Sequence, residues 1–209
     1  MRRIYGKKLT FAVVASLLAG TVPAGAEAYY DPDTKTTTID GDEVYGGFYG
    51  GRGSGYTLAI TGGTTRIKVG GGYNDSQRIS GGIGQNGTSD NKLEVSGTGA
   101  LVCESDTSTF GGIALSGIAE RNRVEFKSSA ISKIEELYGG FSYDGQANNN
   151  EIAITSGTVD VNQGIWGGEG NSTQDNTAAN SNTVRIEGDA EVAALEINGG
   201  LGSNAANRN

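Results

Sequence analysis

Apolar residues in this chain come in pairs, one residue apart: Leu58 with Ile60, Leu93 with Val95, Val124 with Phe126, Ile152 with Ile154, and Val184 with Ile186. Period-two spacing puts both members of a pair on one face of a short strand. Thr37 with Ile39 reads as a degenerate first copy. A second element alternates with the first, in the order apolar, aromatic, Gly, Gly, apolar. It occurs as Val44-Tyr45-Gly46-Gly47-Phe48, Ile79-Ser80-Gly81-Gly82-Ile83 and Thr109-Phe110-Gly111-Gly112-Ile113. It continues as Leu137-Tyr138-Gly139-Gly140-Phe141, Ile165-Trp166-Gly167-Gly168-Glu169 and Ile197-Asn198-Gly199-Gly200-Leu201. The copies follow one another at similar intervals, those starting at Thr109, Leu137 and Ile165 at equal ones. In the last three copies the strand and the Gly-Gly element keep a constant separation, from Val124 to Leu137, from Ile152 to Ile165 and from Val184 to Ile197.

Each copy holds too few apolar side chains to close a core by itself. Stacked copies bury equivalent residues against one another and make a continuous core. The pattern therefore predicts an all-β chain, a parallel β-helix (solenoid) of about six coils. A third strand is read at Thr158 to Val161, while Ala130 to Leu137 has the propensity for a turn or two of helix. Two and three strands per coil both remain open on the pattern. Stacking lines up equivalent residues in columns. Asn91, Asn122, Asn150 and Asn182, each two positions before its strand, form one such column. Stacked amides can hydrogen-bond along the axis; solvated loop polarity is the alternative.

The N-terminus adds an address. Arg2, Arg3, Lys7 and Lys8 precede an apolar stretch from Leu9 to Gly20, and Ala26-Glu27-Ala28 follows. This order reads as a secretory signal peptide over 1–28, too short in its apolar part to span a membrane. Cleavage is expected after Ala28, with Ala26 as the alternative, leaving 29–209 as the repeat region. The leader carries four of the 16 basic residues and one of the 24 acids, so 12 bases face 23 acids in the remainder. An acidic surface repels phosphate backbones, which argues against nucleic acid as a partner.

The chain has 36 glycines and only two prolines, so the glycines mark recurring turns rather than a collagen or linker composition. Cys103 is the single cysteine and has no intramolecular disulfide partner. There is no histidine, the commonest general base and metal ligand. The column before Gly-Gly reads Tyr45, Ser80, Phe110, Tyr138, Trp166 and Asn198. The column one residue earlier is more uniformly apolar and is assigned inward, which turns Tyr45, Phe110, Tyr138 and Trp166 outward or to the coil edge. Such rings either stiffen the coil by stacking or contact a ligand.

No catalytic residue, cofactor or metal is expected. Asp75, Asp90 and Asp175 lie in loops but lack the nonapeptide spacing of calcium repeats. Asn74, Asn86 and Asn171 begin glycosylation triplets at near-chance frequency. Glu135 and Glu136 are adjacent and would diverge on a strand. Glu94 and Glu125 should face out on neighbouring coils, with Arg185 in the same slot two coils on. That gives a possible groove for polysaccharide chemistry, or simply a solvated charged face.

The paired motifs behind a Sec-type leader resemble the repeat passenger regions of bacterial autotransporter adhesins, from Thr37 onward. The resemblance implies export across two membranes and a passenger displayed on, or shed from, the cell surface. It also implies roles in adhesion, aggregation or biofilm contact, with a host or neighbouring-cell protein or glycan as partner. The chain departs from that family in lacking a C-terminal β-barrel translocator, which would need many alternating strands of about ten residues. It stops at Ala206-Asn207-Arg208-Asn209, so it is expected to be a fragment, a truncated gene or a separately secreted protein. A β-helical carbohydrate-active or carbohydrate-binding protein is the alternative. Open solenoid ends are expected to favour self-association. Positions 29–36 are expected to cover part of the N-terminal edge, with Pro32 blocking strand pairing there.

Overall fold

The computed structural model describes residues 27–40, 48–67, 78–103, 107–170, 178–202 and 205–207. The described residues contain no helix. They form a parallel β-solenoid of about four turns, built from three sheets. The count is lower than the six coils expected. The leader expected over 1–28 lies outside the described residues except for Glu27 and Ala28.

Sheet A carries the apolar pairs. Its parallel rows are Thr36–Asp40, Thr57–Gly62, Lys92–Gly97, Arg123–Ile134, Glu151–Val161 and Thr183–Ile186. The register is the one the pairs require: Val124 lies beside Ile152 and Ile152 beside Val184, while Phe126 lies beside Ile154 and Ile154 beside Ile186. Leu58, Ile60, Leu93, Val95, Val124, Phe126, Ile152 and Ile154 all sit in one continuous buried cluster. Beyond a corner, marked by Gly97, Gly157 and Gly188 at positive φ, the sheet continues as a second arm. That arm contains Thr64–Ile67, Ala100–Cys103, the ends of the two long strands, and Glu191–Ala193. The third strand at Thr158 to Val161 is part of this arm. The stretch from Ala130, helical by propensity, is strand: Ile134 and Ser132 point inward and Ile131 is exposed. Packing of Ile134 against the core sets that parity and overrides local propensity.

Sheet B holds the residues leading into the Gly-Gly corner: Phe48–Tyr49, Arg78–Ser80, Ser108–Ala114, Glu136–Ser142, Gly164–Trp166 and Glu196–Asn198. One register differs from the sequence expectation. Phe48 pairs with Ile79 and Tyr49 with Ser80, so the first corner is Phe48-Tyr49-Gly50-Gly51, not Val44-Tyr45-Gly46-Gly47. The interval from Phe48 to Ile79 is then in line with the intervals that follow, whereas the one from Val44 is longer than all of them. Sheet C is short: Thr88–Ser89, Gly117–Glu120, Gly145–Asn148, Ala178–Asn180 and Ala205–Asn207.

From sheet C each coil returns to sheet A through a residue in the left-handed region and then the column asparagine. Asp90, Arg121, Asn149 and Ser181 hold φ between 51° and 58°. The asparagines Asn91, Asn122, Asn150 and Asn182 are buried to 1% exposure or less. Each pair of successive amides is joined: Asn91 Nδ2 donates to Asn122 Oδ1 at 3.1 Å, Asn122 to Asn150 at 3.1 Å, and Asn150 to Asn182 at 3.0 Å. Each of the three backbone N–H groups donates to the same oxygen, at 2.9–3.2 Å. The second glycine of each corner packs on this column. A Cβ built on Gly82, Gly112, Gly140 or Gly168 would overlap the amide of Asn91, Asn122, Asn150 or Asn182 respectively. In the first rung Tyr56 stands in place of the asparagine, and its ring fills the space beside Gly51.

The two ends differ. Glu27–Asp31 pairs antiparallel with Thr36–Asp40 and covers the N-terminal edge of sheet A. The cap expected there is a hairpin, and Pro32 lies in its turn, where Asp31 accepts from the Asp33 N–H and the Thr34 hydroxyl. At the other end Ile186, Leu195, Ile197 and Leu201 are 40–84% exposed, whereas Ile154 and Ile165 one rung earlier are fully buried.

Candidate functional site

The candidate ligand aromatics lie on the outer side of sheet B, as alternation requires, but they are not open. Phe110, Tyr138 and Trp166 are 2–7% exposed and form a second cluster with Tyr49, Ile113 and Phe141. Phe110 stacks on Tyr138 at 5.1 Å between ring centroids, and Tyr138 on Trp166 at 4.7 Å. Phe141 closes the corner edge-on to both Phe110 and Tyr138. Rings one rung apart cover each other's faces, so an outward column becomes a buried one. This corrects the expectation of exposed rings. Tyr45 lies outside the described residues, and Tyr49 holds the column position assigned to it.

Two carboxylates join this cluster, and the repeat pattern missed their role. Glu169 occupies a column that begins at Arg52 and is otherwise filled by Ile83, Ile113, Phe141 and Leu201. Its break from that column was the legible signal. Burial, then the nearby Glu136 carboxylate, pushes Glu169 up to about 7, against the pull of a hydrogen bond from Tyr138. Burial, then the nearby Glu169 and Glu136 carboxylates, holds the Tyr138 hydroxyl well above the usual phenol range. Ser108 Oγ donates to Glu136 at 2.7 Å, and Trp166 Nε1 to Glu196 at 2.9 Å. Glu135, beside Glu136 in sequence, turns away and accepts from Asn162 and Gln163.

The groove expected at Glu94 and Glu125 is filled by their own counter-ions. Lys92 bridges Glu94 and Glu125 at 2.5 Å each, and Lys127 reaches Glu94 at 2.7 Å. Arg123 links Glu125 to Glu151, and Arg185 links Glu151 to Glu187. Both Glu94 and Glu125 are held below the usual carboxylate range. Burial opposes that shift, and hydrogen bonds from the lysines outweigh it. Carboxylates so held are poor proton donors near neutrality.

The remaining candidates disperse. Asp90 is clamped by Arg121, at 2.9 and 3.0 Å. Asp75, Asp175, Asn74 and Asn171 lie outside the described residues, among which no group of three or more His, Cys, Asp or Glu converges as a metal site. Asn86 is exposed, whereas the Thr88 hydroxyl of its triplet is buried against the Gly53 carbonyl. Cys103 is buried beside Thr109, and burial pushes its thiol up to about 12, which removes the reactive thiolate at neutral pH. No family model, no curated protein and no solved structure matches the chain.

Proposed function

We propose that this chain is an exported structural and adhesive repeat protein, secreted or displayed on the cell surface in the manner of an autotransporter passenger, without catalytic activity. The observation that supports the reading most is how its reactive side chains are used. Column asparagines, ion pairs and stacked rings all bind one rung to the next, which suits a stiff spacer that presents its faces to a host or neighbouring-cell protein or glycan. The basic, apolar and Ala-x-Ala order over positions 1–28 supports export. The exposed apolar side chains of the last coil support self-association through that end.

The test has two arms. Exported chain should begin at Tyr29 or Glu27 by mass spectrometry; an intact Met1 in exported material overturns the export. Cells displaying the chain on a barrel translocator should aggregate or adhere where barrel-only cells do not; equal behaviour overturns the adhesive role. A second reading, a carbohydrate-binding or carbohydrate-active solenoid, draws on the Glu136, Tyr138, Glu169 and Trp166 grouping. Glycan-array binding or polysaccharide degradation, lost on Trp166→Ala in a folded protein, would favour it.

A further inference from the structure

We propose that Asn86–Gly87 is a self-modifying site, at which the Gly87 backbone nitrogen closes on the Asn86 side-chain amide and the product loosens the rung that starts the asparagine column. The chain has two Asn–Gly steps, Asn86–Gly87 and Asn198–Gly199. The structure separates them. Asn86 is exposed and lies in the bend between the strands Ile83–Gly84 and Thr88–Ser89. Gly87 holds φ 127°, a conformation that suits glycine alone, so the bend itself demands the residue that leaves the approach to the Asn86 amide open. No hydrogen bond engages the Gly87 N–H among the described residues. Asn198, by contrast, ends the strand Glu196–Asn198, is half-buried, and its carbonyl accepts from the Gly167 N–H at 2.9 Å. Ring closure requires the asparagine backbone to rotate, which the bend permits and the strand pairing resists.

Water is the only co-reactant. The Gly87 nitrogen gives up its proton and bonds to Asn86 Cγ, the Cγ–Nδ2 bond breaks, and the amide nitrogen leaves with that proton as ammonia. Water then opens the cyclic imide at either carbonyl. One opening leaves aspartate. The other leaves isoaspartate, whose main chain runs through the former side chain and is longer by a methylene. The bend has no slack for that methylene. A Cβ on Gly84 would overlap the Gly87 carbonyl, and one on Gly117, in the next rung, would press on the Asn86 carbonyl. The residue that follows is Thr88, whose buried hydroxyl donates to the Gly53 carbonyl at 3.2 Å and accepts from Asn91 Nδ2. Displacing Thr88 therefore takes a partner from the first amide of the column.

The test ages the purified chain at neutral pH, folded in buffer and unfolded in urea. Peptide mapping by mass spectrometry follows the amide-to-acid mass gain at each asparagine, and an isoaspartyl methyltransferase labels the lengthened product. Asn86 should convert in the folded chain at close to its rate in urea. Asn198 must first open from its strand, so folding should slow it at least about tenfold. The aged chain should melt below the fresh chain. Asn86→Gln, whose longer side chain closes the larger ring far more slowly, should melt alike before and after ageing. Far-UV circular dichroism confirms that this variant is folded. Slowing of Asn86 by about tenfold or more on folding, or Asn198 keeping pace with Asn86 in the folded chain, overturns the assignment. Unchanged melting of the parent after Asn86 has converted overturns the loosening.

Discussion

Replacing Asn150 with alanine tests whether the amide column is a mainstay of the solenoid. Four hydrogen bonds involve this side chain. Its Nδ2 donates to the Ala119 carbonyl at 3.0 Å and to Asn182 Oδ1 at 3.0 Å, and its Oδ1 accepts from the Asn122 N–H at 3.0 Å and from Asn122 Nδ2 at 3.1 Å. Asn182 Oδ1 keeps a donor in the variant, because the Asn150 backbone N–H reaches it at 2.9 Å. Three groups therefore lose a partner inside the protein: the Asn122 N–H, one Asn122 amide hydrogen and the Ala119 carbonyl. An orphaned buried polar group costs about 1–3 kcal/mol, and water entering the vacated space favours the lower half of that range. The expected loss is about 3–6 kcal/mol, comparable with the whole stability of many domains. Urea unfolding measures it. Asn148→Ala is the control: it loses two longer bonds from Asn180, 3.2 and 3.3 Å, and its own bond to Gln146 at 3.0 Å, all at a half-buried site that water can reach, and should cost about 1 kcal/mol. If the two variants fall within about 1 kcal/mol of each other, the column is hydrated and the reasoning fails.

Trp166→Ala should cost about 3 kcal/mol in the same assay, because the ring is buried and stacked; a loss under about 1 kcal/mol would return the ring to the open surface. Ser181→Gly should raise stability by about 0.5–1 kcal/mol, since Ser181 holds φ 54° without glycine's freedom, and a lowered thermal midpoint would refute this. Glu94 and Glu125 are depressed in the folded state, so their contribution is present above the ordinary glutamate pKa and lost as pH falls through the folded values. Glu169 is raised, so stability falls as pH climbs from the ordinary glutamate range to about 7. The urea midpoint should therefore peak at mildly acidic pH, and a peak above pH 8 would contradict the sign for Glu169. Hydrogen exchange should be faster in Thr183–Ile186, at the open end, than in Thr57–Gly62, which is flanked by a row on either side; uniform protection would contradict that.

Much of this fold was legible because solenoid repeats write each contact several times. The apolar pairs gave sheet A and its register, and four asparagines in step gave the column. What failed was ambiguous or depended on neighbouring coils. The stretch from Val44 to Gly51 contains the Gly-Gly motif twice in tandem, and the local match favoured the first. The strand-to-corner distance would have chosen the second. The step from Thr37 to Phe48 comes close to the later step from Val124 to Leu137, while the step from Thr37 to Val44 is little more than half of it. Alternation assigned the side of the rings correctly but could not give their exposure, which depends on rings one rung away. Glu94 and Glu125 were placed correctly on the outer face, while the lysines that quench them come from alternate positions on adjacent rungs. Glu169 and Glu136 sense each other's charge from neighbouring rungs, and no linear spacing encodes that proximity.

The contact between each corner glycine and its asparagine also bears on how such a chain can be copied and edited. The two residues come from opposite ends of a coil's outer loop, yet neither can change alone: a side chain on Gly140 would displace the Asn150 amide, and loss of Asn150 leaves a gap that the glycine cannot fill. A duplication that carries both members inserts a finished rung. The first rung contains the one different solution visible among the described residues, with Gly51 against the ring of Tyr56. Length can vary within the loop that joins the two, as the longer step from Gly168 to Asn182 than from Gly140 to Asn150 shows, so long as both members are kept.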